Sequence, residues 1–137
     1  MKAICRINNL RKLPNDTVRA RLSESIHVDG EIPGLEIGSA YSVLALSLRC
    51  DSGLWLYLDT FPGHHFPSPY PAELFDLTDS SIPAGWVVTL ESTGHGTVIR
   101  RISFPEWARD ENFYERLVAG DVETTGIYRK RRSEISE

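Results

Sequence analysis

The sequence predicts an α+β domain, mainly antiparallel β, built as a small partly open barrel or a twisted sheet with a C-terminal helix. Three observations predict it. Residues 40–58 read as a long apolar hairpin, residues 86–103 read as a second, and residues 105–119 switch to helical spacing before a glycine. The chain has 137 residues, 41% of them hydrophobic, which is enough for one buried core. A single globular domain is expected over residues 1–128, followed by a charged tail at 129–137.

The elements follow in order. Lys2–Ile7 reads as an opening strand, with Ala3, Cys5 and Ile7 alternating against Lys2, Ile4 and Arg6. Asn15 and Asp16 follow Pro14 and are placed to cap a short helix over Thr17–Ser23. His27–Gly38 is punctuated by Asp29-Gly30, Ile32-Pro33-Gly34 and Gly38, the density of glycine and proline that marks turns. Ala40–Arg49 is apolar on both alternating faces, as a central strand covered on two sides would be. Asp51-Ser52-Gly53 turns the chain into Leu54–Leu58.

Residues 62–71 carry four of the eight prolines around His64-His65, so this stretch reads as an extended loop or edge segment. Glu73–Leu77 is a short strand, Ser80–Gly85 a turn, and Trp86–Glu91 with Thr97–Ser103 the second hairpin. Pro105 suits a first helical turn with Ser103 as a candidate cap. Trp107, Tyr114, Leu117 and Val118 keep one helix side apolar up to Gly120, with Asp110 placed to restart the helix after a kink. Arg129-Lys130-Arg131-Arg132 and the residues after it read as a solvated tail.

Composition excludes several classes. No apolar run approaches the ~18 residues that a spanning helix needs, so no integral membrane protein is expected. The N-terminus lacks an apolar export region, and a cytoplasmic location is expected. Cys5 and Cys50 are too few for a disulfide scaffold; a bridge between them stays open, but two reduced thiols acting as small core hydrophobes are the expected state. His64 and His65 are adjacent and point to opposite faces of an extended chain, while His27 and His95 stand alone, so no metal site is expected. No catalytic residue and no cofactor are expected. There is no GxSxG elbow, Gly94-His95-Gly96 suits a hairpin turn, and the carboxylate pairs read as surface charge.

Charge is the informative property. The net charge of −4 is unremarkable, but its distribution is lopsided. Residues 1–21 hold six basic side chains and one acidic, residues 22–91 hold ten acidic and only Arg49, and residues 92–137 hold eight of each. The acidic middle segment interleaves with Trp55, Tyr57, Phe61, Phe66, Tyr70 and Phe75. A negative surface with aromatic anchors steers and holds a basic protein partner. The expected contact residues are Asp51, Asp59, Glu73, Asp76 and Asp79 for charge, with Tyr57 and Tyr70 as anchors. Direct nucleic-acid binding is not expected, because the acidic segment would repel a phosphate backbone.

Several stretches carry a resemblance. Leu35-Glu36-Ile37-Gly38 with Tyr41 and Val43, the Leu54–Leu58 strand, Tyr70-Pro71-Ala72 with Leu74-Phe75, Ile82-Pro83 with Trp86, and Phe113-Tyr114-Glu115-Arg116-Leu117 resemble stretches of immunity proteins. These are small bacterial proteins encoded beside polymorphic toxins of the contact-dependent inhibition type. The resemblance implies a cytosolic, non-enzymatic inhibitor of one cognate toxin domain, usually a nuclease. It carries no functional residue across, because such interfaces are not set by a shared motif. Two alternatives from other classes stand beside it: a small regulatory or nucleic-acid-binding barrel working through its basic termini, and a small enzyme with an acid–base pair around His64 and His65.

Overall fold

The computed structural model describes residues 1–49 and 52–136. Strand β2 (Ala40–Arg49) organises the sheet, as its two apolar faces predict. One side of β2 pairs with β3 (Gly53–Leu58), from Val43 opposite Leu58 to Arg49 opposite Gly53. The other side is shared. Its first residues pair with β1 (Lys2–Cys5), and its later ones with β7 (Gly96–Ser103). Beyond β3 lies β4 (Ser68–Pro71), beyond β1 lies β5 (Phe75–Asp79), and beyond β7 lies β6 (Val87–Thr93). All pairs are antiparallel, and the sheet does not close into a barrel, so β4, β5 and β6 are outer strands.

Both faces of the sheet are covered. On one side Leu10, Leu13, Leu22, Ile32 and Leu35 pack on Val43, Leu46, Leu56 and Leu58. They come from a 3-10 turn (Leu10–Lys12), helix α1 (Asp16–Ser23) and the turn-rich segment after it. Asn15 caps α1, its side-chain oxygen accepting from the N–H groups of Thr17 and Val18 at 2.9 and 3.1 Å. Gly34 is obligatory there: φ is +87°, and a Cβ would lie 2.7 Å from the Phe61 ring. On the other side Leu44, Ala45 and Tyr57 meet Phe104, Trp107, Phe113, Leu117 and Tyr128. Those belong to α2 (Pro105–Ala108), α3 (Phe113–Val118) and α4 (Val122–Ser136).

Four expectations need adjustment. The opening strand ends at Cys5 because the N–H groups of Arg6 and Ile7 both turn to the Leu74 carbonyl. The proline-rich stretch ends in a real strand, β4, which its prolines confine to the sheet's edge. The helix after Pro105 is two short helices, with Asp110 accepting from the Asn112 N–H between them; Ser103 does not cap it but donates to the Phe104 carbonyl.

The largest correction is at the C-terminus. Residues 129–136 are not a solvated tail but the second half of α4. Asp121 caps that helix by accepting from the Thr124 N–H and hydroxyl at 3.0 and 2.6 Å, and Tyr128 is fully buried. Arg131 then makes a two-pronged contact with Glu106, and Arg132 lies 3.8 Å from Asp59. Among the described residues no helix is long and apolar enough to cross a membrane.

Candidate functional site

The acidic segment folds against the basic one. Arg11 pairs with Asp29, Arg21 with Glu73 at 2.5 Å, and Arg6 with Asp76 at 3.4 Å, while the Met1 amino group lies 3.9 Å from Asp79. The cause is strand order: β1, which opens the basic segment, docks directly on β5. Much of the lopsided charge is thus complementarity inside the molecule. Glu73 is drawn furthest in, with one carboxylate oxygen buried and unpartnered beside the equally unpartnered Nε of Arg21. Asp59 is half-buried against Arg132. Asp51 and Cys50 lie outside the described residues, and Cys5 is a buried free thiol whose pKa burial pushes up.

The two predicted anchors are interior residues. Tyr57 is 7% exposed and stands edge-on to Trp107 and Tyr114, with centroids 4.9 and 5.1 Å apart. Tyr70 is 5% exposed; its hydroxyl donates to the Pro33 carbonyl at 3.3 Å and shares a hydrogen bond with Thr60 at 2.9 Å. Neither ring is on offer to a partner. Each aromatic sits on a strand face that a covering layer reaches, and strand alternation does not reveal that layer.

Asp76 and Asp79 remain at the surface, 66% and 54% exposed. Three residues apart on a regular strand, they would point to opposite faces. A bulge prevents this. Ala3 pairs with Leu77 and Lys2 with Asp79, leaving Thr78 unmatched, so Asp76 and Asp79 share the face of Ile4 and Lys2. The Asp79 carboxylate accepts from the Ser81 N–H at 3.0 Å, and its hydrogen bonds with Ser81 hold its pKa below the ordinary value. Leu77 and Ile82 are exposed beside them. Composition-based reading missed these two, although a Leu on an outer strand and an Ile before a proline are visible signals.

The other candidate chemistries find no assembled site among the described residues. His65 Nε2 lies 3.3 Å from the Val118 carbonyl, and His64 stacks between Phe61 and Phe66. No group of three His, Cys, Asp or Glu side chains is placed to hold a metal ion among the described residues. A cleft of about 380 Å³ opens between the turn after β5 and the ends of α2 and α4, lined by Asp79, Ile82, Trp86, Arg131 and Glu134. Its charges are already paired, Arg131 to Glu106 and Glu134, and Asp79 to Ser81. Of the basic run 129–132, Arg129 and Lys130 are exposed, while Arg131 and Arg132 face acids.

What the fold presents is an α+β scaffold with three outer strands of differing chemistry. The chain matches no protein-family description, no curated protein and no solved structure.

Proposed function

We propose that this chain is a non-catalytic, cytoplasmic immunity protein that neutralises a toxin domain, most simply a nuclease with a cationic cleft, by binding it along β5. The observation that carries the reading is the bulge at Thr78, which sets Asp76 and Asp79 on one face of an outer strand with Leu77 and Ile82 exposed alongside. The toxin class comes from the sequence resemblance. The binding mode comes from the edge. Two exposed carboxylates steer a cationic partner at long range, and adjoining apolar side chains hold it once docked. Their present counter-ions do not prevent this, because exposed ion pairs are worth only ~0–1 kcal/mol and exchange partners readily.

The test is co-expression with the toxin domain encoded next to this chain, scored by host survival, followed by binding kinetics. Wild type should rescue growth. Asp76→Lys with Asp79→Lys should slow association by about tenfold and flatten its salt dependence. Failure of the wild type to rescue overturns the immunity reading. Rescue with unchanged association kinetics in the double variant moves the interface away from β5.

A further inference from the structure

The three outer strands differ in how they are protected from pairing with another strand. β4 carries Pro69 and Pro71, which cannot donate to a ladder, and β5 carries Asp76 and Asp79. β6 has neither device. Its sequence, VVTLEST, holds one charge and no proline, and among the described residues it pairs only with β7. Its apolar side chains are also in the open. Val88 stands opposite Ile102 and Leu90 opposite Ile99, a bulge at Arg100 bringing Ile99 and Ile102 to one face. That strip begins in the core at Ile102 and ends with Leu90 62% exposed, Val88 and Ile99 being exposed too. An unprotected outer strand bearing an apolar face is a template for strand addition.

We propose that β6 pairs antiparallel with β6 of a second copy of this chain, with Leu90 opposite Leu90 at the twofold axis. A second copy is favoured because the strand is complementary to itself in one register. A twofold perpendicular to the sheet keeps like faces together, so only residues of the same parity can stand opposite one another. Centring on Glu91 would set two carboxylates against each other. Centring on Leu90 overlaps all of Val87–Thr93, places Val88 against Ser92 of the copy, and sets Glu91 against Thr89.

That register also supplies a missing counter-charge. Thr89 stands opposite Arg101 on β7, so a row across the joined sheets reads Arg101, Thr89, then Glu91 of the copy. With strands ~4.8 Å apart, the outer two backbones lie about 10 Å from each other, within the joint reach of both side chains. Arg101 has no ion-pair partner among the described residues, and its Nε is buried without a hydrogen bond. A groove of about 450 Å³ lined by Thr89, Glu91, Arg101 and Arg109 runs beside β6 and gives the incoming carboxylate its path. One strand pair is a small interface, so the dimer is expected to be concentration-dependent.

Sedimentation of the full chain up to about 1 mM tests this, since weak dimers populate in that range. Wild type should shift from monomer to dimer. Leu90→Lys should stay monomeric with an unchanged melting temperature, the side chain being exposed. Glu91→Lys should weaken the dimer by about tenfold, the loss of one charge pair. Register is read by a short bis-maleimide on chains that all carry Cys50→Ser. Leu90→Cys should cross-link to itself, Ser92→Cys should not, and a mixture of Val88→Cys and Ser92→Cys should. A wild type monomeric throughout, or a Leu90→Lys variant that still dimerises, overturns the proposal. Cross-linking of Ser92→Cys to itself without Leu90→Cys overturns the register.

Discussion

The hydroxyls of Tyr114 and Tyr128 lie on the same helix-covered face of the sheet and have opposite surroundings. Tyr114 donates to the Pro67 carbonyl at 2.7 Å and so ties the proline-rich segment to α3. The Tyr128 hydroxyl is buried with no partner in hydrogen-bond geometry, although the Arg132 guanidinium lies 5.6 Å from its ring centroid. Deleting a hydroxyl that makes no bond removes a desolvation cost, whereas deleting one that does strands a carbonyl. Tyr128→Phe is therefore expected to hold stability or raise it by up to about 1 kcal/mol, and Tyr114→Phe to lower it by about 1 kcal/mol. Urea unfolding of the two variants checks the order; the reverse order would mean that Tyr128 has a partner. Burial pushes both pKa values far up, so neutral tyrosine is what the fold holds. Ionisation then favours unfolding as pH rises past the ordinary value of 10.0.

Among the elements, α4 shows most about what a sequence conceals. Its start is legible after the fact: Gly120 closes α3 at φ +84°, and Asp121 caps the next helix at once. Its body is not, because Thr124, Thr125 and Gly126 are poor helix formers, and the run of four bases imitates a tail. Tertiary anchors supply what propensity lacks, namely Tyr128 in the core and Arg131 on Glu106. Deleting residues 129–137 should therefore lower stability by about 1–3 kcal/mol in denaturant unfolding, where a solvated tail would cost nothing. Gly126 faces open space inside this helix, and Gly126→Ala should add about 0.5–1 kcal/mol in the same assay. The hairpins, by contrast, were legible at once. Period-2 alternation and turn glycines are local signals, and β2–β3 and β6–β7 are local pairs.

At the scale of the whole molecule, the charge pattern was legible and its meaning was not. Which acid meets which base depends on β1 docking on β5, more than 65 residues away in the chain, and no spacing rule reaches that far. Asp76 and Asp79 stayed at the surface as expected, but only the bulge made them neighbours on one face. The pairings also set the acid response. Hydrogen bonds to Ser81 lower the Asp79 pKa, and those to Thr124 lower that of Asp121. Burial alone would raise the Glu106 carboxyl, yet Arg131 carries it below its ordinary value of 4.5. Folded carboxylates with depressed values stabilise the fold above the unfolded values, and that contribution disappears as pH falls through the folded ones. Melting temperature should thus hold steady through neutral pH and drop below about pH 4.5, with a second drop above about pH 10 from the buried tyrosines. A Glu106→Gln variant should start lower at neutral pH and lose less on acidification.

The sheet carries bulges at Leu44, Thr78 and Arg100, and the last two decide what β5 and β7 display. Each is a single uncounted residue, so its removal acts differently from any substitution. Deleting Thr78 would leave every other side chain in place while turning Asp79 to the opposite face and separating it from Asp76. Deleting Arg100 would divide the apolar strip in the same way. Relatives of this chain can therefore keep the fold and exchange their outer surfaces by gaining or losing one residue, and an alignment that treats such a gap as noise would miss a change of binding partner.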